Sequence, residues 1–281
     1  MKQLLTSLAF LTVLAAHAQV PFSQSLRKGT VLDTARYQVT YRLRYKHHPT
    51  EKDYMEDTRI VQIGRNFVKD YSEILFHFDS IRTDEERHGA SNYSNASGNP
   101  WPVEIIYRLH QKEADIKYRL PIATGTLHYS DTVPRLAWNF VSSGSDTIME
   151  HECLQATADF GGRTYTAWFA TGLPLPCGPY KFGGLPGLIL KISDNEQQFL
   201  WEAVGFERVG SPIMTYAYDN EKPCSASEAA KTIERYFRSP YSFLTAGMGG
   251  AKIMVKGADG KFRSSPKTEE TAIPYKPLER K

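Results

Sequence analysis

The chain has 281 residues, with 34 Lys and Arg against 31 Asp and Glu, a net charge of +3, and an aromatic content of 12%. Its bases are interleaved with acids throughout, which excludes the clustered basic face of a nucleic-acid binder. This length allows one large domain or two small ones.

Lys2, the apolar run Leu4 to Leu14 and the triplet Ala16-His17-Ala18 read as a secretory signal peptide over residues 1–18, cleaved before Gln19. The run is too short to span a bilayer, so no transmembrane segment is expected after cleavage. The expected location is exported: periplasm, outer-membrane surface or extracellular. Cys153, Cys177 and Cys224 make an odd count for an exported chain, which predicts one disulfide involving Cys153 and one free thiol.

Tyr37 to Tyr45 alternates Tyr37, Val39, Tyr41, Leu43 and Tyr45 with polar residues, the period of a half-buried strand. Strands follow at Thr58 to Ile63 and Phe67 to Tyr71, while Ser72 to Phe78 reads as either strand or one helical turn. Residues 83–102 are rich in charged, Ser, Asn and Gly residues and read as a surface loop. Trp101, between two prolines in that loop, is expected to be exposed and is a candidate ligand contact. Further strands are predicted at Val103 to Tyr107, Asp115 to Leu120, Thr126 to Tyr129 and Leu136 to Val141. Their spacing suits a meander.

Cys153 to Ala158 and Arg163 to Phe169 flank Asp159-Phe160-Gly161-Gly162 as a hairpin. Pro174, Pro176 and Pro179 make the next segment an extended crossover, because proline lacks the ladder donor. A turn through Gly184-Leu185-Pro186-Gly187 leads into a buried run, Leu188 to Ile192, and another strand, Phe199 to Phe206. Trp168 and Trp201 are expected in the core. A capping box, Ser225 with Glu228, starts a helix over 225–238, which Ser239-Pro240 ends. Lys252 to Phe262 reads as a hairpin through Gly257 to Gly260. The predicted fold is mainly β: a single domain, 19–281, with a curved antiparallel sheet or partly closed barrel and one C-terminal helix packed on it.

No cofactor or metal site is predicted. Gly178 to Gly184 lacks the Lys-Ser/Thr of a phosphate loop, and Gly247 to Gly250 is an isolated glycine cluster. No Gly-x-Ser-x-Gly elbow is present. His151-Glu152 lacks a second histidine four residues on, and His47-His48 would point to opposite faces of a strand; surface or hydrogen-bonded histidines are expected. Glu150 and Glu152, with Asp159 or Asp194, could form the carboxylate pair of a glycosidase, though any β-rich surface offers such pairs.

The block Cys153, Phe160, Arg163, Tyr165, Trp168, Gly178, Pro179, Lys181, Phe182 and Gly184-Leu185-Pro186-Gly187-Leu188-Ile189 resembles the GLPGLI family of secreted bacterial proteins. Ile63-Gly64, Trp138 and Tyr275-Lys276-Pro277-Leu278-Glu279 also match. The resemblance implies a β-rich exported protein, a structural role for this motif, and no established activity. A related domain looks like the bowl-shaped N-terminal module of a secreted peptide N-glycosidase, whose catalytic residues lie in other domains. The expected role is therefore a non-catalytic binding or accessory module for a glycan, a peptide or an envelope protein partner. A secreted hydrolase acting on extracellular glycan or peptide through a carboxylate pair is the alternative.

Overall fold

A computed structural model describes residues 20–122, 124–218, 220–247, 254–256, 262–264 and 272–279. The expected signal peptide and the turn at 257–260 lie outside the described residues. In chain order the elements are β1 (Arg27–Thr34), β2 (Tyr37–Tyr45), β3 (Met55–Ile63), β4 (Phe67–Ser72), α1 (Glu73–Arg87), β5 (Val103–Arg108), β6 (Glu113–Arg119) and β7 (Thr126–Thr132). There follow β8 (Asn139–Ile148), β9 (His151–Phe160), β10 (Arg163–Ala170), β11 (Leu188–Asp194), β12 (Phe199–Arg208), β13 (Pro212–Ala217) and β14 (Glu221–Pro223). Helices α2 (Ala226–Arg238) and α3 (Pro240–Gly247) and the short pair β15 (Met254–Lys256) and β16 (Phe262–Ser264) complete the set.

Twelve strands form one mixed sheet in the order β14-β7-β6-β5-β4-β3-β2-β12-β11-β10-β9-β8, and β1 pairs separately with β13. Only β14 runs parallel to its neighbour. The sheet is two meanders, β2 to β7 and β8 to β12, joined where β2 pairs with β12 from Tyr37↔Arg208 to Tyr45↔Phe199. Strands β7 and β8 stand near opposite ends of this order, yet only residues 133–138 connect them. Six linking residues reach at most ~25 Å, whereas ten strand spacings laid flat would exceed ~45 Å. The sheet must therefore bend, although no ladder among the described residues closes it.

Val39, Tyr41, Leu43 and Tyr45 of β2 are buried, as the alternation requires, and share one apolar cluster with Ile105, Ile116, Phe169, Phe182, Leu188, Ile189 and Trp201. The β9–β10 turn uses Gly161 and Gly162 at φ 56° and 71°, the paired positive values of a two-residue hairpin turn. Helix α2 begins with the capping box of Ser225 and Glu228. Its Ala229, Ile233, Tyr236 and Phe237 share a second cluster with Leu120, Ile122 and Leu127.

Several expectations are corrected. Of the two readings of Ser72 to Phe78, the helical one holds but is longer than one turn: Glu73–Arg87 form a helix that takes in the start of the expected 83–102 loop, and the Ser72 side chain caps it by accepting from the Leu75 backbone N–H. The helix turns Asp79 inward to a buried ion pair with Arg119. Strands β1 and β13 and helix α3 were not foreseen. Trp101 is buried at 7% exposure, packed on Trp201 and Tyr180. Trp168 lies half-buried beside Lys191, whose Nζ is 4.9 Å from its ring centre, whereas Trp201 is in the core. Glu150 sits in the β8–β9 turn at φ 64°, so it cannot share a strand face with Glu152.

All three cysteines are free, in place of the expected disulfide. Cys153 lies in β9 and Cys224 follows β14, near opposite ends of the strand order. Cys177 is enclosed in the crossover, and burial pushes its thiol up to about 12, the state of an inert buried thiol.

Candidate functional site

A cavity of about 440 Å³ opens between the sheet, α2 and the segment 275–279. Its walls are rich in aromatic residues, among them Trp101, Tyr129, Tyr180, Phe199, Phe237 and Tyr275. Trp101 stands 5.5 Å from Tyr180 and 6.4 Å from Phe199, centre to centre. Phe237 of α2 stacks on Tyr275 at 3.9 Å and 4°. His47 leans on Phe237 at 4.8 Å. Its Nε2 is buried without a hydrogen-bond partner among the described residues, and burial lowers its pKa to about 4, so the ring is neutral at ordinary pH. That departs from the surface or bonded histidine expected.

Behind the aromatic wall lies a buried ion triad. Arg59 donates to Asp70 Oδ1 at 2.9 Å and to Asp57 Oδ2 at 3.3 Å. It also donates to the carbonyls of Trp101 and Val103 at 3.2 and 2.7 Å, fixing the backbone that presents Trp101. The Tyr180 backbone N–H donates to Asp70 Oδ2 at 2.6 Å. That bond helps hold Tyr180 at φ 56°, a left-handed conformation that costs a non-glycine residue roughly 1 kcal/mol or more. One buried arginine thus sets two of the cavity's rings. Burial raises Asp57 to about 6 and raises Asp70, against the pull of Arg59 on both.

Besides Glu234, which pairs with Arg238, two acids line the cavity, Asp131 and Glu279. Both accept from the fully buried ammonium of Lys181, at 2.9 and 2.7 Å, and Glu279 also accepts from the Tyr180 hydroxyl. Glycoside hydrolysis needs space between two carboxyls for the glycosidic oxygen and a water. Lys181 Nζ fills that space. The acids weighed from sequence are elsewhere: Glu150 and Glu152 are exposed, Asp159 is exposed and bonded to Thr164, and Asp194 is bound to Arg163. No group of three or more metal-ligating side chains occurs among the described residues.

The motif residues fall into two sets. Cys153, Tyr165, Phe182, Leu185, Leu188 and Ile189 are core, and the Ile189 carbonyl accepts from the Tyr41 hydroxyl at 2.6 Å. Gly178 packs against Ile189, and Gly187 lies so close to the Ala170 carbonyl that a Cβ would approach it to 2.2 Å. Pro179 precedes Tyr180, while Gly184 (φ 87°) and Pro186 are exposed in the turn before β11. Arg163 and Lys181 form the second set, bound to the segment 275–279. The structure brings Trp101 and Lys181 to the cavity region. Sequence reasoning placed none of Tyr180, Asp131, His47 and Phe237 at a ligand site: His47 was weighed as a metal ligand and expected as a surface or bonded histidine, Phe237 belonged to the apolar stripe of the late helix, and no local pattern records that the four meet.

Residues 160–191 match the profile of a family described as "Protein of unknown function (Porph_ging)". That segment contains Gly184 to Ile189. No curated protein matches the chain. Among solved structures, two crystal forms of PNGF-II, in space groups P21 and C2, align over 70% of this chain at 14% identity, with TM-scores of 0.43 and 0.44. The aligned region spans 32% of that protein's length. No helix among the described residues is long and apolar enough to cross a membrane.

Proposed function

We propose that this chain is a binding module that takes a short, uncharged carbohydrate segment into the Trp101–Tyr180 cavity, as part of an exported protein. The observation that carries this reading is the cavity itself. Its about 440 Å³ would admit one or two sugar rings, and its aromatic faces suit the apolar faces of such rings. Most of its flanking charges are already paired, Asp131 and Glu279 with Lys181, Lys276 with Glu196, and Glu234 with Arg238, while the Lys46 ammonium lies over the Tyr54 ring. A neutral ligand enters such a site without stripping an ion of its partner.

The hydrolase reading rests on Asp131 and Glu279 sharing one wall. The ammonium between them favours binding over catalysis. A glycan array probed with the wild-type protein and with Ala230→Trp tests the proposal, because Ala230 is an exposed position of α2 at the cavity wall. Retention of a neutral oligosaccharide, lost at least tenfold in Ala230→Trp with thermal stability unchanged, is the expected result. If no glycan is retained, or a retained glycan ignores the substitution, the proposal fails. Release of reducing ends from a polymer, abolished by Asp131→Asn, would establish the hydrolase instead.

A further inference from the structure

Residues 272–279 belong to no strand or helix, yet side chains from four parts of the fold receive them. Arg163 Nη2 donates to the Pro277 carbonyl at 2.8 Å, and Gln198 Nε2 donates to the Lys276 carbonyl at 2.8 Å. The Lys276 backbone N–H donates to the His47 carbonyl at 2.7 Å, and its ammonium reaches Glu196 at 2.6 Å. Tyr275 stacks on Phe237, Leu278 is buried at 8% exposure in the main core, and Glu279 meets Lys181 and Tyr180. The receiving groups were in place for this. The side chains of Arg163 and Lys181 are 0% exposed and Gln198 is 0% exposed as a whole residue. Arg163 is itself anchored on Asp194 at 2.7 Å. Carbonyls read by buried donors, with pockets for separate side chains, are how folded domains recognise extended peptides.

We infer that Arg163, Lys181 and Gln198 form a peptide-recognition site. Its ligand is a short segment of the pattern aromatic–Lys–Pro–Leu–Glu, and the chain's own residues 275–279 occupy it as a tethered ligand. The site accounts for two buried cations. Each cation has an acid partner outside the segment, Asp194 for Arg163 and Asp131 for Lys181, and the segment supplies a further acceptor to each, as a buried charge requires. It goes beyond the carbohydrate reading, because it assigns a second ligand chemistry to neighbouring residues.

The test uses the full chain with a Gly-Ser linker carrying a specific protease site between Lys267 and Thr268, cut after folding, with cleavage verified by mass. The freed segment should remain bound and exchange with a fluorescein-labelled synthetic copy of residues 268–281, read by anisotropy. Peptide carrying Glu279→Gln should bind roughly tenfold more weakly, since one charge-assisted bond is lost. Peptide carrying Leu278→Asp should not bind, and the cut protein should keep its circular dichroism when the segment is diluted away. Unfolding of the cut protein on loss of the segment would overturn the inference, making the segment an integral part of the core. Equal binding of the Leu278→Asp peptide would also overturn it. Neither readout involves carbohydrate, so failure here leaves the cavity proposal standing.

Discussion

Replacing Arg59 with Met would leave Asp57 and Asp70 facing each other in the core with no counter-charge, at nearly unchanged side-chain volume. The guanidinium, 0% exposed, makes bonds to two carboxylates and two backbone carbonyls. Breaking one partner of such a buried group costs about 3–5 kcal/mol, a large share of the ~5–15 kcal/mol that holds a domain together. The loss should depend on pH. Burial already raises both acids, and Arg59 opposes that rise. Without Arg59 the folded state binds protons more readily still. A carboxyl raised on folding destabilises the ionised folded form, and this penalty is relieved as pH falls through its folded pKa. The deficit of Arg59→Met relative to wild type, measured by urea unfolding with tryptophan fluorescence, should be greatest at pH 7–8 and should narrow by pH 5. A deficit below about 1 kcal/mol at pH 7, or one equal at both pH values, would refute this account of the triad.

Gly187→Ala should lower stability by at least about 2 kcal/mol, because the added Cβ meets the Ala170 carbonyl rather than a movable side chain; an unchanged melting temperature would contradict the close approach. His47, depressed from 6.5 to about 4 by burial, removes stability as pH falls through that interval, by up to ~3 kcal/mol. His47→Phe should flatten the stability curve over that range, and an unaltered slope would count against a neutral buried ring. Thiol titration of the native protein should label the partly exposed Cys224 first, with Cys153 and Cys177 reacting only in denaturant, for a total of three. A total of one would restore the disulfide.

Half-buried strands were legible because one face meets the core and the other meets water, which writes a period of two into residues such as Tyr37 to Tyr45. The β9–β10 turn was legible because Gly161 and Gly162 occupy the only backbone region it allows. Helix α1 was obscure: Ile74, Leu75, Phe76 and Phe78 are nearly contiguous, and only Leu75 and Asp79 are buried. Trp101 looked exposed because its local neighbours are prolines, while its burial comes from Arg59, Tyr180 and Trp201, all distant in sequence. The cavity was illegible for the same reason. Its walls come from β5, β7, the crossover, α2 and residues 275–279, and no spacing along the chain records their meeting.

The seam between β2 and β12 has a kinetic consequence. Every other ladder of the large sheet except the short β14–β7 pairing joins strands that are neighbours in the chain, so each meander closes shorter loops than the seam, the longest being residues 73–102 between β4 and β5. The seam alone must bring Tyr37 to Arg208, and its register shifts once between Ala203 and Gly205. Long-range pairing of this kind is the slow step in β-rich folding. The two meanders should therefore form as early units, with closure of the seam limiting the rate. Substitutions at Leu43 or Trp201 should slow refolding more than equally destabilising changes at the β9–β10 hairpin.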